Sequence, residues 1–255
     1  MTSLATSALT SDQRQFIEEF LIDLSATAAA RRMLRPVALT ILAAVAFAIA
    51  PARAGAPPGT YHYTVHHPTY GDIGTFTNTV THKGDEVIVN SQVRIAVRIA
   101  FITAHREEAD RREVWRNGLL VSYDSLTEKN GRPLLVKGRA NGSRFIIEGL
   151  DGRVEAPAAI HPSNPWSITI TEKTLLLATA SGRLLKVKAT DAGEETIELA
   201  DRKVKARRFK VTGDMDLDLW YDENDVMVRF TYADGGDNVV FTLQWQTSAP
   251  GTRHE

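Results

Sequence analysis

From Tyr61 onward, apolar and polar residues alternate one for one, and clusters of turn residues interrupt the alternation at short intervals. A period of two places successive side chains on opposite faces of a strand, so the pattern predicts half-buried β-strands. "YHYTVHH" reads as a first strand ending at Pro68, and "GTFTNTVTHK" as its hairpin partner, joined through Tyr70-Gly71-Asp72. Lys83-Gly84-Asp85 then turns into "EVIVNSQVRIAVRIAFITA", long enough for one strand crossing a whole sheet. Asn117-Gly118 inside "REVWRNGLLVSYDSLTE" suits a type I′ hairpin turn, since both residues tolerate positive φ. Asn130-Gly131, Asn141-Gly142 and Asp151-Gly152 repeat the signal.

The alternation breaks at "APAAIHPSNPWS", where proline and polar residues predict a crossover loop, with a short helix or turn near Trp166 to Leu177. Strands then resume through "RLLKVKATD", "EETIELADRKVKARRFKVTG", "DLDLWYD", "VMVRFTYAD" and "NVVFTLQWQ". About ten strands with almost no helical periodicity predict an all-β fold. The expected form is a single antiparallel curved sheet around an apolar interior with one crossover, forming one domain over residues 55–247 and followed by a disordered tail at 248–255.

The N-terminal residues follow different rules. "MLRPVALTILAAVAFAIAPARAGAPPG" has a basic start, an apolar run from Val37 to Ala50 and an Ala52-Arg53-Ala54 end. That is the plan of a secretory signal peptide over residues 33–54, with cleavage expected after Ala54. The apolar run is short for a membrane span of about 20 residues, so no span is expected once the signal is removed. Residues 1–32 precede this signal and have two readings. Either Met33 is the true start and they are an upstream extension, or they form a leader in which "TSDQRQFIEEFLIDL" is an amphipathic helix. Removing residues 1–54 takes away five arginines and four acids, leaving 25 basic and 27 acidic side chains. This near-neutral balance lacks the basic excess of a nucleic-acid binder. With no cysteine, neither disulfides nor thiol chemistry supports the fold or the function. The expected location is the periplasm or the outside of the cell.

Candidate chemistry is sparse. "RFKVTGDMDLDLWYDENDVMVRFTY" sets Asp214, Asp216 and Asp218 at alternate positions. A calcium loop needs Gly at its sixth position and Glu at its twelfth; Leu219 and Asp225 stand there. The stretch reads instead as a β-hairpin with a wet face, turning at Glu223-Asn224-Asp225. His62, His66, His67 and His82 offer a weak metal pattern, outweighed by exposed strand histidines. The basic run Asp201 to Lys210 suggests attraction to anionic head groups, against an edge strand guarded by lysines or one paired with the acidic strand downstream. No nucleophile elbow, zinc helix, phosphate loop or dinucleotide fingerprint is present, so no cofactor and no metal is expected. Paired carboxylates lie in polar surroundings that give no reason for a raised pKa.

The order "LLLATASGRLLKVKA", "ARRFKVTGDMDLDLWYDENDVMVRFTY", "DGGDNVVFTL" resembles a bacterial family of exported domains of unknown function, number 6134, itself similar to domain of unknown function 3108. The likeness spans Thr174 to Leu243, and "YHYTVHHPTYGDIGTFTNTV" is similar to the family's opening hairpin. One departure is Glu223-Asn224-Asp225, where a Gly is common in the turn. The resemblance implies a half-barrel with a concave face, like periplasmic lipoprotein carriers, and implies no activity. An unclosed half-barrel leaves an apolar trough fit for a lipid or other apolar or amphipathic molecule. Tyr63, Trp115, Trp166, Trp220 and Tyr232 are the candidate lining, weighed against a plain aromatic core. The alternatives are a cofactor-independent enzyme acting in the same cavity and a structural envelope module without ligand.

Overall fold

The computed structural model describes residues 55–99, 102–234 and 237–248. The signal segment, residues 1–32 and most of the expected tail lie outside the described residues; the last strand itself runs to Ser248. Fifteen strands, among the described residues, form one curved sheet. The first eight are β1 (Gly59–His67), β2 (Gly71–Lys83), β3 (Glu86–Ile99), β4 (Ile102–Arg116), β5 (Leu119–Lys129), β6 (Arg132–Asn141), β7 (Arg144–Gly149) and β8 (Gly152–Pro157). Two short strands follow, β9 (His161–Pro162) and β10 (Leu175–Leu177). The last five are β11 (Leu184–Glu198), β12 (Lys203–Gly213), β13 (Leu217–Tyr221), β14 (Met227–Asp234) and β15 (Asp237–Ser248).

The chain meanders from β1 out to β8 on one side and from β15 back to β9 on the other, and β1 pairs with β15 at the centre. All pairs are antiparallel except β9 with β10. Asn117-Gly118 and Asn130-Gly131 take positive φ at both positions, as a type I′ turn demands.

The expected count of about ten strands falls short for two physical reasons. The segment from Glu86 to Ala104 is two strands, because Ile99 pairs with Ile102 and the chain reverses between them. Ala100 and Phe101 are not turn-forming residues, so the reversal has no signature in the sequence. The predicted crossover also contains β9 and β10, with a 3-10 turn over Ile168–Glu172 capped by Ser167.

That crossover shapes the interior of the sheet. It links the two edges of the sheet, β8 and β9, by running through the concave side instead of over the surface. Ile160, His161, Trp166, Ile168 and Ile170 are all buried. Strand side chains meet them by alternation: Tyr61, Tyr63 and Val65 from β1, Phe76 and Val80 from β2, Val89 and Val93 from β3.

Two expectations about charged strands change. β12 is not an edge, since it pairs with both β11 and β13. Its cations meet acids on either side: Arg207 with Asp191, Lys203 with Glu198, and Arg208 with Asp218 and Glu195. The three alternating aspartates also do not share one strand. Only Asp218 lies in β13; Asp214 precedes it and accepts a hydrogen bond from the Lys186 amide, 2.9 Å. The hairpin turn is as expected, and Asp225 takes the positive φ (59°) that a Gly would supply. Asp222 closes it by accepting from the amides of Asn224 and Val226.

The two ends of the sheet almost meet. Leu150 N–H donates to the Ser181 carbonyl (2.9 Å), and the Tyr123 hydroxyl donates to the Thr179 carbonyl (2.8 Å). Gly149 makes this clasp possible: a Cβ there would stand 2.4 Å from the Ser181 carbonyl oxygen and 2.9 Å from the Gly182 Cα. Backbone atoms cannot yield cheaply, so Gly149→Ala is expected to cost about 1–3 kcal/mol, the scale of overpacking. Urea denaturation reads this directly; an unchanged midpoint would mean that the seam is open in solution.

Candidate functional site

The inner face of β4 is unusual for a core strand. Alternation brings His105, Glu107, Ala109, Arg111, Glu113 and Trp115 inward, leaving Arg106, Glu108, Asp110 and Arg112 outside. Four ionisable residues thus point into a β-sheet interior, where each needs a partner or a neutral form.

Glu113 has both. It is fully buried. One carboxyl oxygen accepts from the Trp115 and Trp166 indoles, each at 2.9 Å. The other accepts from the Asn164 side-chain amide, also 2.9 Å. Asn164 further donates to Ser91 (2.9 Å), Ser91 donates to Asn78 (2.6 Å), and the Asn78 amide returns to Asn164 (3.4 Å). Every donor in this network has an acceptor. Two of its members, Asn164 and Trp166, belong to the crossover, so Glu113 ties the crossover to the sheet wall. Loss of hydration pushes the Glu113 pKa up to about 7, although the three donors and nearby Arg111 oppose the rise.

His161 completes the packing on Trp115, with ring centroids 4.8 Å apart. Burial drives its pKa down to about 4, so it is neutral, and its Nδ1–H donates to the Pro162 carbonyl (2.6 Å). His105 is also buried and pushed down to about 3, by desolvation first and by Lys129 second. It faces Glu107 at 3.9 Å, too long for a hydrogen bond.

Beside the network lies a cavity of about 140 Å³. Its apolar end is Phe76, Leu217, Phe230 and Phe241, with Val93 and Ile95. Phe230 and Phe241 stack at 4.0 Å, and Phe76 meets both edge-on at 5.9 Å. The polar lining is Arg111, Ser163, Asn164 and Thr179, with Glu107 standing opposite Ile95. Most of the trough expected from the sequence is therefore filled by the crossover, and the remaining space is amphipathic.

The five aromatic candidates separate. Tyr232 lines the cavity. Tyr63 packs on Phe76 behind the wall and donates to the Met227 carbonyl. Trp115 and Trp166 serve the Glu113 network. Trp220 pairs in register with Arg208, under whose guanidinium it lies (5.1 Å), and its indole donates to Glu195 on the face opposite the core strand residues Leu217 and Leu219. Among the histidines, His62 stacks on exposed Trp245 and His66 bonds Asp72, whereas His67 is fully buried, against the expectation of exposure. Among the described residues, no three His, Asp or Glu side chains are grouped as a metal site needs. Sequence reasoning missed Glu113, Arg111 and Asn164. "HREEADRREVW" alternates charge with charge, so no apolar period marks its inner face.

The architecture defines a β-barrel-like protein with an internal crossover. It is similar to a solved structure, the β-barrel-like protein of domain of unknown function DUF1849 from Brucella abortus, with a TM-score of 0.53 and 8% identity over 77% of this chain and all of that one. At that identity the likeness shows the fold alone. The family model for the domain of unknown function DUF6134 matches residues 70–244, and the chain belongs to that family. Among curated proteins, none matches the chain.

The Glu113 environment sets a pH dependence. A carboxyl whose folded pKa (about 7) exceeds its unfolded value of about 4.3 holds more protons when folded, so its contribution is full at low pH and is lost as pH rises through 7. Buried neutral His161 and His105 work the other way, losing stability as pH falls below about 6.5. The clean readout is thus a difference. Relative to the wild type, Glu113→Gln should gain about 2 kcal/mol of stability between pH 5 and pH 8. Denaturation midpoints at the two pH values measure it; parallel profiles would place Glu113 in contact with water.

Proposed function

We propose that this protein is an exported envelope component that binds an apolar or amphipathic small molecule inside its half-barrel. The observation that carries the reading is the cavity, with phenylalanines at one end and Arg111, Ser163 and Asn164 at the other. Such a mixture of apolar wall and few polar groups characterises ligand sites. Its volume of about 140 Å³ is below the roughly 300–1,000 Å³ of common sites. It matches the scale of about 150 Å³ at which an apolar cavity takes a single benzene ring. A short chain or one ring fits; of a lipid, only part of one acyl chain would enter. Export rests on the signal-like segment at 33–54.

The enzyme alternative has one observation in its favour, a buried His–carboxylate pair, His105 and Glu107, of which Glu107 lines the cavity. Its 3.9 Å separation lies outside proton-transfer reach, so binding without catalysis is the stronger reading.

Native mass spectrometry of the protein isolated from the periplasm tests both parts. The expected species starts at Gly55 and carries an adduct of low mass that leaves on mild activation. A start well upstream of Gly55 contradicts the cleavage, and a clean apo mass contradicts the cargo.

A further inference from the structure

We infer that the cavity recognises a small organic monocarboxylate, with Arg111 holding the carboxylate and the Phe76–Phe230–Phe241 cluster holding an apolar body of one ring or a short chain. The inference rests on the cavity-binding reading above and specifies its ligand.

Arg111 differs from the ion-paired arginines. Arg94, Arg116, Arg139, Arg183, Arg207 and Arg208 each reach a carboxylate. Arg111 alone of these sits on the inner face and lines the cavity. Its guanidinium makes no hydrogen bond and no ion pair among the described residues, and its Nε is buried. A guanidinium cannot shed its charge at any ordinary pH. Half-buried, with no carboxylate in hydrogen-bond contact, its charge is incompletely compensated, and an anion arriving in the cavity improves that balance.

The surroundings select the anion. Ser163 and Thr179 line the same cavity and add hydroxyl groups to its wall. No second cation lines the cavity. Glu113 lies two residues along the strand, with its carboxyl already bonded to two indoles and an amide. Glu107 lines the same cavity four residues back, about 13 Å along the strand at the usual rise. A dianion such as a phosphate monoester would face these carboxylates with one cation to balance it. A monocarboxylate matches one guanidinium in charge and in its planar two-oxygen fork. With the carboxylate seated, the apolar wall leaves room for a small body, one ring at most.

Calorimetry or ligand-observed NMR with phenylacetate and its neutral counterpart 2-phenylethanol, at low salt on the full chain, decides the matter. The wild type should bind phenylacetate at least tenfold more tightly than the alcohol. Arg111→Met should lose that preference and keep the alcohol, while Arg111→Lys, with charge but no fork, should fall between. Arg111→Met should also melt no lower than the wild type, because it removes an unpartnered charge; a purely structural arginine would lower the melting temperature. Equal wild-type affinity for acid and alcohol overturns the inference and leaves the cavity reading standing. Binding of neither compound overturns both. Should Arg111→Met not fold, the structural role is the correct one and the inference falls.

Discussion

A single buried carboxyl organises the interior of this protein. Glu113 receives two indole N–H groups and one amide N–H, and two of those three donors come from the crossover. Without that acceptor the buried donors would lose their hydrogen bonds, at about 1–3 kcal/mol each. The crossover would then have little reason to dip into the concave face, since loops ordinarily run over the surface where their backbone is hydrated. The buried acid is expensive, and its raised pKa registers that expense. What it secures is a specific docking of a proline-rich segment that no ladder of strand hydrogen bonds would hold.

The rest follows from that docking. Once Trp166 and Asn164 are fixed, His161 and Trp115 stack beside them, and Tyr221 donates to the Pro165 carbonyl (2.9 Å) from the opposite wall. The two ends of the sheet are brought close enough for Gly149 and Gly182 to touch. The interior that remains is not a broad greasy trough but a small cavity with an arginine at one end. Fold and site are thus one design: the segment that fills the barrel also shapes the space it leaves.

Much of this fold was legible in the sequence, because it is written in period-two alternation and Asn-Gly turns. Val87, Val89, Ser91 and Val93 need no context to be read as one face of a strand, and Asn117-Gly118 announces its own turn. The half-barrel class came from the resemblance, which the family match over residues 70–244 bears out. The site was much less legible. On β4 the inward residues His105, Glu107, Arg111 and Glu113 look like an exposed charged strand, since neither face is apolar. The reversal after Ile99 was hidden because apolar residues run straight through it. Nor does any local pattern say that "HPSNPW" would turn inward; that depends on an acid some fifty positions earlier in the chain, a contact only the fold creates. The aromatic residues were visible as a group, but whether an indole faces a cavity, an acid or Arg208 is a matter of tertiary partners.

The most direct measurement of the central claim is amide-type exchange at the four tryptophan indoles, followed by nitrogen-edited NMR across neutral pH. The Trp115 and Trp166 indole protons should exchange only through large-scale opening, and both should shift with one shared midpoint near pH 7 as Glu113 titrates. Exposed Trp245 is the internal reference. If the indoles of Trp115 and Trp166 exchange as fast as that of Trp245, Glu113 does not hold the crossover, and the account of the interior is wrong.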